Sequence, residues 1–199
     1  MLKMIPNILT IGRIVLTVVF LTMLLYYPDA ENKTSFMDIA FVLFVITGIT
    51  DLIDGPIARK LNVASKFGRI LDPLADKVLI CGAFICLAVI GEPKLFDWPP
   101  GTLKIIHWSA AGIIVAREIY VTILRQIAEA RGINFAATFS GKIKMFIQSV
   151  TIGVILIKIA HFPAPTWASC TTSTILLITL AVTIISGLAA TQRMFAKQN

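Results

Sequence analysis

Six apolar stretches, at roughly 8–27, 36–58, 70–91, 104–125, 141–160 and 172–193, constrain this chain more than any other feature. Each comes close to the ~20 residues a helix needs to cross a bilayer's hydrocarbon. With 57% hydrophobic and only 15% charged residues over 199 positions, too little polar side chain remains to clothe a water-soluble domain. The sequence therefore predicts an all-α, polytopic membrane protein with six transmembrane helices in a single domain over 1–199. The first stretch follows Lys3, has no small-residue cleavage site and runs into "YYPDA", so it reads as an uncleaved span. The connectors "YYPDAENKTS", "GEPKLFDWPPG" and "HFPAPTWAS" combine turn residues with interfacial aromatics.

Charge sets the expected orientation. Lys3, Lys60, Lys66, Arg69, Arg131, Lys142, Lys144, Arg193 and Lys197 fall on the side shared by the two termini. The opposite side has Lys33, Lys94, Lys104 and Lys158, offset by Asp29, Glu31, Asp38, Glu92 and Asp97. Positive residues gather on the cytosolic side, which puts both termini in the cytosol. The net charge of +7 points to an anionic partner, with lipid headgroups the obvious one and no indication of nucleic acid. Cys81, Cys86 and Cys170 form no CxxC pair, so neither a zinc site nor a disulfide framework is expected. His107 and His161 flank apolar runs and are expected to be interfacial.

Against this background the segment "DLIDGPIARKLNVASKFGRILDPLAD", Asp51–Asp76, sets four carboxylates at the borders of two spans. At about 100° per residue, Asp51, Asp54, Gly55 and Ala58 share one helical stripe, and Asp72 and Asp76 share another. A short hairpin between antiparallel spans brings the two stripes together at the cytosolic edge. Asp54-Gly55-Pro56 alone would pass for a turn, and Asp72-Pro73 for a helix cap, but neither accounts for Asp51 or Asp76. Clustered carboxylates in a membrane repel one another and are costly to desolvate. Hard divalent cations relieve both costs, and four aspartates hold two ions of the Mg²⁺ or Mn²⁺ type, the usual clamp for displacement at phosphorus. Gly55 and Ala58 leave room for a phosphate-bearing ligand to approach the backbone.

The full spacing, Asp51, Asp54, Gly55, Ala58, Arg59, Gly68, Asp72 and Asp76, resembles the signature of the CDP-alcohol phosphatidyltransferase family, complete and in register. Average residue usage would match eight fixed positions by chance on the order of 10⁻¹⁰ of the time. "IPNILTIGR", "AREIYVTILR" and "GKIKMFIQ" look like segments of the bacterial members that use glycerol 3-phosphate, although Met145 stands where Thr is expected. The resemblance implies that CDP-diacylglycerol binds over Asp51, Asp54, Gly55, Ala58, Arg59 and Gly68. It makes Asp51, Asp54, Asp72 and Asp76 the ligands of two Mg²⁺ or Mn²⁺ ions and Asp76 the general base. It also implies a homodimer in the cell membrane with the site facing the cytosol.

The acceptor is read separately. Arg117, Arg125, Lys142 and Lys144 lie in or beside the cytosolic halves of spans four and five, where cations suit the dianionic phosphate of glycerol 3-phosphate. Snorkelling to headgroups is the competing role, least apt for Arg117, which sits well inside its run. Glu118 is expected to pair with one of these cations. Inositol phosphate meets the same electrostatics, and serine or phosphatidylglycerol are further acceptors within the resemblance. A divalent-cation transporter is the alternative from another class. Such sites favour the bilayer midplane between repeats, whereas these acids crowd one edge.

Overall fold

A computed structural model describes the chain over residues 5–60, 66–132 and 139–196. Within these, the side chains of 5–10, 51–60, 66–73, 139, 140 and 142 lie outside the described residues. The order is α1 (Ile5–Tyr26), a 3-10 turn (Tyr27–Asp29), α2 (Lys33–Lys60), α3 (Lys66–Ile90), α4 (Pro100–Ala130), α5 (Phe139–His161) and α6 (Thr166–Ala196). Among the described residues there are six α-helices and no strand. Each expected span has its helix, lengthened by a few residues where polar ends leave the apolar run.

The connections end the helices by ordinary local chemistry. Asn32 caps α2, its side-chain oxygen accepting from the Ser35 N–H at 3.2 Å. Gly91 takes a φ of 74° after α3, and the Glu92 N–H returns to the Leu87 carbonyl at 3.0 Å. That is the left-handed glycine ending, in which a Cβ would be strained. Gly132, at φ 70°, closes α4 the same way, its N–H bonding the Glu129 carbonyl at 3.0 Å.

Packing follows a closed ring. α1 lies against α2 and α3, α3 against α4, α4 against α6, α6 against α5, and α5 against α2, with α3 also touching α5. The described parts of α2 and α3 thus both pack on α1, which lies between them at mid-height. Gly82 permits close approach of α3 to α1, since a Cβ there would fall 2.6 Å from Leu21 Cδ1.

Burial is inverted relative to a soluble protein. Arg13, Thr47, Gln148 and Thr183 are at most 2% exposed, while Val15, Ile105, Leu177 and Ile185 are all more than half exposed. Lipid tails are the solvent in which that surface is stable. α1, α2, α5 and α6 are each long and apolar enough to cross a membrane. The protein is a multi-pass membrane protein.

Polarity also changes along the bundle axis. The apolar core, including Phe20, Leu24, Phe44, Phe84, Ile114 and Ile155, fills the half toward the 3-10 turn and the α3–α4 and α5–α6 connections. Buried Arg13, Thr47, Lys144, Gln148, Thr179 and Thr183 occupy the other half. The dry half is closed by Lys158, whose ammonium donates to the Lys94 carbonyl at 2.7 Å and the Pro163 carbonyl at 3.2 Å. His161 meets Asp38 at 2.8 Å at the surface, as an interfacial histidine should. His107 differs from expectation. It is 5% exposed, because the α3–α4 connection folds Pro93 and Glu92 over it and the three line one small cavity.

Candidate active site

The helices carry the signature in the expected registers. α2 continues through Asp51, Asp54, Gly55, Pro56, Ala58 and Arg59 to Lys60, and α3 begins at Lys66, ahead of Gly68, Asp72 and Asp76. Asp54-Gly55-Pro56 is therefore not a turn, and Asp72-Pro73 is not a helix cap. The side chains of Asp51, Asp54, Arg59, Asp72 and Lys142, and the surroundings of Gly55, Ala58 and Gly68, lie outside the described residues. Asp76, Arg117, Arg125 and Lys144 are described.

Asp76 is paired across helices. Arg13 Nη1 on α1 donates to Asp76 Oδ1 on α3 at 2.8 Å, with the arginine side chain 2% and the aspartate 24% exposed. A guanidinium so deep in an apolar helix is stable only with a counter-charge. Lys77, next in sequence, turns toward α4 and donates to Thr122 Oγ1 at 2.8 Å. Thr122 in turn donates to the Glu118 carbonyl one turn earlier, at 2.6 Å. Glu118 Oε1 then accepts from Arg117 Nη1 at 3.0 Å and from Lys144 Nζ on α5. Three separate polar groups thus lie across the bundle: the Arg13–Asp76 pair, Lys77 with Thr122, and Glu118 with Arg117 and Lys144.

Further buried polar pairs lie in the α5–α6 seam. Gln148 Nε2 donates to Thr183 Oγ1 at 3.2 Å, and the Thr151 and Thr179 hydroxyls meet at 2.5 Å. Several buried polar atoms have no partner among the described residues: Arg117 Nε, Arg125 Nε and Gln148 Oε1. Buried polar groups are almost always bonded, so these atoms are open to a water or a polar ligand.

The structure joins Arg117 and Lys144 through Glu118, pairs Asp76 separately with Arg13, and sets Arg125 two turns along α4 from Glu118 with a buried Nε unbonded among the described residues. Glu118 holds two cations where one was expected. Arg13 and Lys77 were missed as site residues. The signal for both was a basic residue inside an apolar run, which in a membrane is rarely idle.

This arrangement, a part-buried acid at the end of an aspartate signature together with buried cations, is that of an enzyme handling phosphate esters in a bilayer. The CDP-alcohol phosphatidyltransferase family model matches residues 3–185, and the chain belongs to that family. Among curated relatives, it is 34% identical over 154 residues to the probable phosphatidylglycerophosphate synthase of Mycobacterium tuberculosis, covering 77% of this chain and 66% of the relative. It is 35% identical over 159 residues to the CDP-diacylglycerol–glycerol-3-phosphate 3-phosphatidyltransferase of Bacillus subtilis, covering 76% of each. The protein bearing that same name in Rickettsia typhi is 30% identical over 156 residues, covering 78% of each. The chain thus spans just under two thirds of the mycobacterial relative's length and about three quarters of the other two.

Proposed function

We propose that this chain transfers the phosphatidyl group of CDP-diacylglycerol to sn-glycerol 3-phosphate, releasing CMP and forming phosphatidylglycerophosphate for phospholipid biosynthesis. The observation that carries the reading is the cluster of Arg117 and Lys144 about Glu118 inside the bundle, which gathers cations for an anion, while Asp76 of the signature is held by Arg13 on α1. The names of the relatives point to the same reaction.

The donor set of the signature is all carboxylate oxygen, which fits Mg²⁺ or Mn²⁺ and no soft metal. In this reading Asp51, Asp54, Asp72 and Asp76 hold two such ions, which neutralise the diphosphate and the departing CMP. Gly55, Ala58, Arg59 and Gly68 seat the cytidine diphosphate along α2 and the start of α3. Arg117, Arg125, Lys142 and Lys144 hold the acceptor's phosphate and so orient its hydroxyl. Asp76 takes the proton of that hydroxyl as its oxygen bonds to phosphorus, and the bond to the CMP oxygen breaks. Arg13 holds the Asp76 carboxylate in place by its 2.8 Å contact.

All six helices span the cell membrane with both termini in the cytosol, and the polar half of the bundle opens there to the soluble acceptor. The positive-inside distribution supports that orientation. By the family resemblance two copies pair in the bilayer. Family membership favours a transferase over a cation transporter. Inositol phosphate remains the acceptor to test against, because it brings the same charge.

The test is CMP release from CDP-diacylglycerol in detergent, with and without Mg²⁺ or Mn²⁺, across a panel of alcohols and alcohol phosphates. Release should require metal and glycerol 3-phosphate. Metal-independent release, or a preference for inositol phosphate or serine, would overturn the corresponding part. In the same assay Arg117→Gln, Arg125→Gln and Lys144→Gln each delete a charge-assisted hydrogen bond of ~1.5–3 kcal/mol, so the acceptor KM should rise roughly ten- to a hundredfold. The KM for CDP-diacylglycerol should stay where it is.

A further inference from the structure

Arg117 and Glu118 are consecutive on α4, so their side chains leave the helix about 100° apart. They nevertheless converge, Arg117 Nη1 reaching Glu118 Oε1 at 3.0 Å, and Lys144 comes across from α5 to the same oxygen. The cluster is both under-neutralised and under-bonded. Arg117 and Lys144 bring two positive charges to the single negative charge of Glu118, a balance of +1 (2 − 1). Arg117 Nε and Arg125 Nε are buried with nothing to donate to among the described residues. One carboxylate oxygen is doing what a phosphate would do with three.

We propose that Glu118 is an internal stand-in for the acceptor's phosphate: it holds Lys144 and Arg117 and competes with the incoming phosphate monoester for them. This rests on the acceptor pocket proposed above and assigns the residue that sets its affinity. Lys144 is 3% exposed and needs a counter-charge, which Glu118 supplies. When the dianion arrives, Lys144 and Arg117 exchange the carboxylate for phosphate oxygens. The displaced carboxylate stays beside the phosphate and repels it. Glu118 therefore stabilises the free enzyme more than the complex, and holds acceptor affinity below what the cations alone would give.

Glu118→Gln keeps the shape and removes the charge. The apparent acceptor KM should fall about tenfold, corresponding to about 1.4 kcal/mol, the low end for one charge-assisted hydrogen bond. The melting temperature of the acceptor-free protein should drop, and saturating glycerol 3-phosphate should raise it by more than it raises the wild type. A residue that only braces the helices would lower the melting temperature and leave the ligand-induced rise unchanged. A residue that only aims the cations would raise the acceptor KM. Either result overturns the proposal.

Should Glu118→Gln fail to fold alone, it is made in a Lys144→Met background, so that both charges of the buried pair are absent. There, adding Glu118→Gln should lower the acceptor KM relative to Lys144→Met alone, because Arg117, Arg125 and Lys77 remain. An equal or higher KM would sink the stand-in. Unchanged acceptor KM in Arg117→Gln and Lys144→Gln would instead sink the pocket itself. Raised KM in those variants without a gain from Glu118→Gln would leave the pocket standing and remove only this proposal.

Discussion

Asp76 and Arg13 illustrate how single residues divide the work of a charged site in an apolar bundle. Asp76 closes the signature and is the group closest to chemistry in the proposed reaction. Asp76→Asn keeps its volume and removes its basicity, so turnover should fall by about 10²–10⁴, the range for losing a general base, and stability should fall too because Arg13 loses its counter-charge. Near-normal turnover of the purified, folded variant would take that role from it. Arg13 is different, because it is almost wholly buried and bonded to Asp76. Breaking a buried ion pair costs about 3–5 kcal/mol, and the partial exposure of Asp76 argues for the lower end here. Arg13→Met should therefore lower stability by about 3 kcal/mol in denaturant titration, and turnover should fall with it. An unshifted midpoint would show that Arg13 carries no such weight. The sequence made the aspartate legible through spacing, since four acids in helical register are hard to explain otherwise. It did not make Arg13 legible in the same way. A basic residue in the first turns of a membrane helix reads equally well as an interfacial anchor, and only packing shows that it points into the bundle. The same holds for Lys77, whose partner Thr122 is 45 residues away.

At the level of helices, periodic hydrophobicity located all six elements, because each buries too little polar surface to be anything but a membrane or core helix. It could not say which face of each looks inward. In water the apolar face is the buried one, but here lipid and core are equally apolar and polar contacts choose the face. α6 shows this. Thr172, Thr179, Thr183 and Ser186 are buried, while Leu177, Ile178, Ile185 and Leu188 face outward. Its seam with α5 is therefore held in part by hydroxyls and an amide. The Thr151–Thr179 pair permits a measurement: the hydroxyls also lie 2.8 Å from the Ile147 and Ile175 carbonyls of their own helices, and with one proton each, one of them donates across the seam while the other keeps its helix carbonyl. A double-mutant cycle with Thr151→Val and Thr179→Val should give a coupling energy of about 0.6 kcal/mol and not above ~1.7, the range for hydrogen bonds between membrane helices. Zero coupling would mean that the seam rests on packing alone. The competing reading of Asp54-Gly55-Pro56 as a turn is also decided at this scale. Gly and Pro end helices readily in water, but within a membrane protein an interrupted helix leaves backbone groups unpaired at higher cost, so α2 runs on to Lys60.

Taken whole, the molecule is a bundle with a dry end and a wet end, and the direction in which it sits decides whether the proposed reaction has its soluble substrate. Glycerol 3-phosphate is cytosolic in this reading, so the polar half must face the cytosol. The 3-10 turn and the α3–α4 and α5–α6 connections must then face the opposite compartment. Glu31, between the 3-10 turn and α2, and Glu129, at the end of α4, are both exposed and mark the two ends of the bundle. Among the native cysteines, Cys86 is buried, Cys81 is partly covered and Cys170 is exposed. A Cys170→Ser background therefore removes the exposed native thiol. In right-side-out vesicles, Glu31→Cys in that background should react with a membrane-impermeant maleimide at once. Glu129→Cys should react only after the membrane is permeabilised. The charge distribution makes this the expected sense, since positively charged loops resist translocation. The reverse labelling pattern would place Asp76 and Lys144 on the side away from the soluble acceptor. Labelling of both positions before permeabilisation would break the six-span topology itself, because α2, α3 and α4 together lie between them and an odd number of crossings must separate the two sites.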